Sequence, residues 1–318
     1  MHFSQEYKLE IEGHSDINFI DVNLLKDTKL YIDPYRIEHA NDTFALKANE
    51  IIKDYFSCVF KCCLNEEIPT LKTLLNFAHE PNETKLGLSS GKPRGRGASE
   101  FLLFEIFKQI IDRDLLNSGI VTQESDICVF VKNFNQDRMS DLITNIIRRE
   151  LSKFTFDECI KLGISENDLI TEPKEFWNHK IHAWDIFECK YPKTDVSVLL
   201  VPKNIVSNRY IYSTEHFIQQ QILLTRQEDH LKDMSHLVQH KYSKVKGNYV
   251  DKPTKKSIYQ EEIQGKNRKD YVIDYSFNNI RDLETYKNRM NSYASGLSPL
   301  SDEQLDYIVY KKRKKTLA

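Results

Sequence analysis

Ile127-Cys-Val-Phe-Val-Lys-Asn-Phe-Asn-Gln-Asp-Arg-Met-Ser-Asp-Leu-Ile-Thr-Asn145 is the stretch on which the fold reading turns. Its first six residues form an apolar run of strand length, rich in β-branched and aromatic side chains, and predict a buried strand. Residues 133–138 predict a loop. From about Ser140 to Leu162 apolar residues recur with helical period, until Gly163 stands where glycine commonly ends a helix. A buried strand feeding an amphipathic helix is the unit from which α/β and α+β domains are built.

Working outward, Tyr7-Lys-Leu-Glu-Ile11 alternates with period two, and Leu30-Tyr-Ile-Asp-Pro34 predicts a strand closed by proline. Ala48, Ile51, Ile52, Tyr55, Val59 and Cys62 make an apolar stripe for a helix over about Phe44 to Leu64, with Asn41, Asp42 or Thr43 as its cap. A short helix over Pro69 to Phe77 and an apolar helix over Glu100 to Leu116 follow. Ile186 to Tyr191 and Val196 to Val201, joined by Pro192-Lys-Thr-Asp195, predict a β-hairpin. From Ser213 the pattern is mainly helical, through His216 to Val238 and Ser276 to Tyr293. The expected fold is α/β or α+β, a mixed sheet core over residues 1–210 and a mainly helical region over 211–318 with a polar linker near 241–269.

The 318 residues are 40% hydrophobic and 29% charged, ordinary for a folded chain. No apolar run approaches the ~18 residues that span a bilayer, and the first residues do not read as a secretion signal. The six cysteines lack the spacing of a disulfide scaffold, so reduced thiols in a cytoplasm are expected, with no membrane partner. Residues 241–318 hold 17 lysines and arginines against 10 acids, ending in Lys311-Lys-Arg-Lys-Lys315. Such a basic end suits a phosphate backbone or an acidic partner, although charge runs are also common as solvated tails.

Four places offer chemistry. Between Glu83 and Ser99, four of the ten glycines (Gly87, Gly91, Gly95, Gly97) are interleaved with Lys92, Arg94 and Arg96, and a helix start follows. Glycine lets backbone amides approach a ligand, so Gly91, Lys92, Arg94, Gly95, Arg96 and Gly97 are candidates for gripping phosphate. The order is not that of a P-loop, and a solvated surface loop is the competing reading. Asp137 and Asp141, between strand and helix, are candidate metal ligands, or else Ser140 or Asp141 caps the helix and the acids suit its dipole. Glu188 and Lys190 share one face of a strand, the pairing of a metal-dependent nuclease of the PD-(D/E)xK type. Glu-x-Lys also occurs at Glu6, Glu83 and Glu172, so the spacing alone selects nothing. Cys58 with Cys62, and His236 with His240, have i,i+4 spacing but read as core and surface residues. Arg226 and His230 are closer together than an Arg/His ribonuclease pair.

With the Pro93–Gly97 loop, the Asp137–Asn145 segment and Leu200-Val-Pro-Lys203 in view, the chain resembles an uncharacterised bacterial family. That family combines a Pro-Arg-Gly-Arg-Gly loop, Asp-Arg-x-Ser-Asp-x-x-Thr-Asn and a late Leu-Val-Pro-Lys strand. Lys132 departs from its pattern, which has an acid there. The resemblance implies an accessory or phage-defence setting and no particular activity.

These readings predict a nucleic-acid-processing enzyme, a Mg²⁺-dependent nuclease of a bacterial defence or toxin system. Asp141, Glu188 and Lys190 would be catalytic, with Asp137, Asp141 and Glu188 on the metal. The rival expectations are a non-catalytic module that binds nucleic acid or a partner protein of the same system, and a nucleotide-binding enzyme.

Overall fold

A computed structural model describes residues 1–77, 81, 83–87, 96–243, 247–294, 296 and 298–311. The period-two segment at Tyr7 is not a strand. A one-turn helix, α1 (Phe3–Glu6), precedes it, and Lys8 takes a left-handed φ of 52° that interrupts extension. Leu30–Pro34 does contain a strand, β1 (Tyr31–Ile32). Asp33 then caps α2 (Pro34–His39), accepting from Tyr35 N at 3.1 Å, with proline in the first turn where a missing N–H breaks no bond. Asp42 caps α3 (Thr43–Leu64) by accepting from Ala45 N at 3.0 Å. The buried face of α3 runs Ala45, Ala48, Ile51, Ile52, Tyr55, Phe56, Val59, the expected stripe with little change. α4 (Ile68–Leu75) and α5 (Arg96–Asp112) follow.

The strand expected at 127–132 is a helix, α6 (Glu124–Phe130). All seven of its residues are buried, so no polar face marks a period of 3.6, and a short apolar run reads alike in either form. Its start is a capping box, in which Asp126 Oδ2 accepts from Gln123 N at 3.1 Å. The long helix expected over 140–162 is two, α7 (Gln136–Ile146) and α8 (Arg148–Lys161), parted at Ile147 (φ −98°, ψ 16°). Just before the break, Thr144 Oγ1 donates to Ser140 O at 2.9 Å, a back-bond that bends helices.

β2 (Leu169–Asn178) pairs antiparallel with β3 (Ala183–Pro192), Trp177 opposite Trp184. This replaces the expected hairpin of 186–191 with 196–201. Val198 to Val201 are fully buried, and their backbone bonds go elsewhere: Leu199 N donates to Glu83 O (2.8 Å) and Leu200 N to Thr155 Oγ1 (2.9 Å). β4 (Val206–Ser207) pairs with β1. α9 (Thr214–Phe217) runs through a π-helical turn, Ile218–Ile222, into α10 (Leu223–Lys232). The polar segment expected as a linker is structured in its described part. It holds the hairpin β5 (Gln239–Ser243) with β6 (Asn248–Lys252), then α11 (Lys255–Glu262), so His240 lies on a strand and does not share a helix with His236. α12 (Arg268–Asn278), α13 (Ile280–Ala294) and α14 (Asp302–Tyr310) complete an α+β fold with a helical C-terminal part. Among the described residues the sheets are three antiparallel pairs.

The chain forms two units. The first, Met1–Asp112, Asn133–Tyr210 and Ala294–Ala318, is organised around α3, which touches α2, α4, α5, α7, α8 and β2. In the second, Arg113–Lys132 with Ile211–Tyr293, α6, α9 and α12 pack together and α10 lies against α11 and β6. Residue 210 closes a segment of the first unit, but 113–132 belongs to the second.

Candidate functional site

Lys47, Glu50, Asp54 and Cys58 recur every three or four residues and so share one face of α3. The turn between β2 and β3 lies along that face. His179 Nε2 is 3.0 Å from Lys47 Nζ, and His182 Nδ1 is 2.7 Å from Asp54 Oδ1. Asp54 Oδ2 accepts from the indole Nε1 of buried Trp177 at 2.7 Å. Burial and the Lys47 ammonium hold His179 below the usual histidine range, and its Nδ1 is a buried atom with no hydrogen-bond partner.

Where α3 begins, its Phe44 and Lys47 line a pocket of about 640 Å³ together with Arg149, Lys153 and Phe154 of α8. The two phenylalanine rings meet edge to face at 5.6 Å. The Arg149 guanidinium stacks 4.4 Å from the centre of the Phe176 ring, which orients it. Glu150 and Asp157 also line the pocket, and Arg149 Nη2 donates to Glu150 Oε1 at 3.3 Å. Cations beside half-buried aromatic rings can hold a phosphate and offer a face to a base. The acids leave the lining with only a small positive excess.

Behind the pocket, at the start of α8, is a buried ionic cluster. Arg148 Nη1 donates to Glu175 O at 2.7 Å and its Nη2 to Asn145 Oδ1, and Nη2 is 3.4 Å from Glu83 Oε2. Tyr191 OH donates to Glu83 Oε1 at 3.1 Å, and Lys174 Nζ sits 3.9 Å from that oxygen. Burial and the Glu83 charge push the Tyr191 phenol far up, so it remains a donor. This cluster joins the residues before the glycine-rich loop to α7, α8 and the hairpin.

Of the expected phosphate grip, Gly91, Lys92, Arg94 and Gly95 lie outside the described residues. Arg96 and Gly97 are the first residues of α5, with their side chains outside the description. Asp137 stands in the first turn of α7, but the cap expected from Ser140 or Asp141 is Asn135, whose Oδ1 accepts from Arg138 N at 3.1 Å. Ser140 is interior and accepts from Ile32 N at 2.9 Å. Glu188 is exposed on β3 opposite Pro173. Lys190 donates from its backbone to Ser152 Oγ (2.9 Å) and places its ammonium 4.0 Å from the centre of the Phe156 ring.

Among the described residues, the one group of three His, Cys, Asp or Glu with donor atoms within 4.8 Å of one another is Asp54, Cys58 and His182. Asp137, Asp141 and Glu188 do not converge in that way. Cys58 faces this group, whereas Cys62 turns into the core beside Glu67. In the second unit Arg226 and His230 both bind Glu262, at 2.9 and 2.7 Å, and Tyr271 OH donates to it at 3.0 Å. Lys203, of the Leu-Val-Pro-Lys segment, donates to His14 O (2.6 Å) and pairs with Asp302 (2.7 Å), which ties down the start of α14.

His182, Arg149, Lys153 and Arg148 had no distinguishing mark in the sequence, and Glu83 was one of four Glu-x-Lys copies with nothing to pair it with Arg148. The i,i+4 spacing of Asp54 and Cys58 was the sole local signal, and it needed His182 to acquire meaning. The family described as "Domain of unknown function (DUF8370)" matches residues 8–213, and the chain belongs to it. No curated protein and no solved structure matches the chain.

Proposed function

We propose that this member of the family handles nucleic acid, with the groove between α3 and α8 as the seat of the phosphate backbone. The supporting observation is that Lys47, Arg149 and Lys153 line one pocket with Phe44 and Phe154. Cations neutralise phosphates and release counterions, while aromatic faces stack bases without regard to sequence. Mg²⁺-dependent cleavage in a bacterial defence or toxin system is the fuller form of the proposal. It does not depend on Asp137, Asp141 and Glu188 acting as one site.

The test is binding of labelled single- and double-stranded DNA and RNA at several salt concentrations, with Mg²⁺ or with EDTA. Affinity should fall linearly in log–log form with salt. Lys153→Glu should reduce the single-strand slope by roughly 0.7 per lost phosphate contact. Binding left unchanged by both Lys47→Glu and Lys153→Glu removes the groove from the proposal, and no binding to any oligomer removes the proposal itself. Glu150 and Asp157 in the lining favour a second reading, a small ligand with hydroxyls to donate. Uptake of a mononucleotide with no oligomer binding selects it.

A further inference from the structure

We infer that Asp54, Cys58 and His182 form a binding site for one divalent transition-metal ion of the Zn²⁺ class, with a fourth position open to water. This stands apart from the nucleic-acid reading and needs none of the groove residues.

The donor set is selective. A thiolate and an imidazole suit Zn²⁺, Co²⁺ and similar ions, whereas Mg²⁺ takes oxygen ligands almost exclusively. Asp54 and Cys58 sit one turn apart on α3, so both project from the same face. His182 reaches that face from the turn between β2 and β3, where a left-handed φ of 51° sets its backbone. The three donor atoms lie within 4.8 Å of one another.

A tetrahedral ion with bonds of roughly 2.0–2.3 Å needs ligand atoms about 3.3–3.7 Å apart. The 2.7 Å contact of His182 Nδ1 with Asp54 Oδ1 must therefore open slightly, and the separations to Cys58, which are no more than 4.8 Å, need close by at most about 1 Å. Cys58 and His182 are not buried, so side-chain rotation suffices. The Trp177 indole fixes the other oxygen of Asp54, the kind of outer partner that orients a ligating carboxylate. Exposed His182 leaves an entry path from solvent.

The experiment is titration of the metal-stripped full chain with Co²⁺ under argon. One equivalent should produce a thiolate-to-cobalt charge-transfer band and the visible bands of a tetrahedral ion, and Zn²⁺ should bleach both. Cys58→Ser should abolish the charge-transfer band. His182→Ala, at an exposed turn, should abolish stoichiometric uptake with an unchanged circular dichroism spectrum. Cys62→Ser, on the neighbouring turn, should keep the band. Absence of the band at stoichiometric Co²⁺, or its survival in Cys58→Ser, overturns the inference and leaves Asp54 and His182 as a close polar contact only.

Discussion

Arg148 Nη2 and Glu83 Oε2 lie 3.4 Å apart, with both side chains almost wholly removed from water. Glu83 also accepts from the Tyr191 hydroxyl and has Lys174 Nζ 3.9 Å away, but the Arg148 guanidinium is the cation nearest to it. Arg148→Met should therefore cost up to about 3–5 kcal/mol of unfolding free energy, because it removes the nearest cation from a buried carboxylate. Adding Glu83→Leu to it should recover a large part. Urea titration of the single and double variants measures this. An Arg148→Met cost under about 1 kcal/mol means that the cluster is hydrated in solution.

Gly87 has φ +119°, and a Cβ built there would meet Asp137 Oδ1 at 2.7 Å. Gly87→Ala should destabilise through both the backbone conformation and the contact, by about 1–3 kcal/mol. Asp137→Ala in the same chain should relieve the steric part and leave the conformational part. Thermal unfolding of the two variants separates them, and equal midpoints for Gly87→Ala and the native chain refute the placement.

Asp33 is buried, and desolvation lifts its carboxyl to about 6 in spite of bonds from Ser207 Oγ and Tyr35 N. A folded-state value above the unfolded 3.8 means that the native state prefers the protonated form. The stabilisation is fully present below about pH 4 and is lost as pH rises through 6. The linkage amounts to about 3 kcal/mol. Asp33→Asn removes the titration, so its stability relative to the native chain should rise by up to that amount between pH 4 and pH 7. A difference that stays flat across this window shows that Asp33 ionises freely.

Glu188 is exposed, and its removal breaks no buried contact. Glu188→Ala should change unfolding free energy by less than about 0.5 kcal/mol. Lys190→Met loses the contact with the Phe156 ring and should cost about 0.5–1 kcal/mol. Loss of metal-dependent cleavage in Glu188→Ala, with native stability, would assign that residue a chemical part. Unchanged cleavage would exclude it.

The helix α3 was legible because its information is local. Asp42 is an acceptor placed to cap, and Ala45 to Val59 repeat apolar residues at helical spacing. α6 was misread because its seven buried residues carry no periodicity, and the capping box of Gln123 and Asp126 shows only in the structure. The hairpin was misassigned for a different reason. Strand character in β3 is local, but its choice of Leu169–Asn178 as partner depends on which pairing buries Trp177, Cys189 and Tyr191 together.

By itself, then, the sequence determined the helical stripes, several of their caps and a mixed fold with a helical C-terminal part, since spacing along the chain encodes which face is apolar. Only the tertiary structure brought Arg149 and Lys153 beside Phe44 and Lys47, His182 onto Asp54, and Glu83 against Arg148. Each of these meetings joins residues far apart in the chain, and the packing of α8 and the β2–β3 hairpin against α3 creates the first two. Ion pairs and ligand sets of this kind leave no periodic trace, because their partners are selected by burial and distance after the helices have formed.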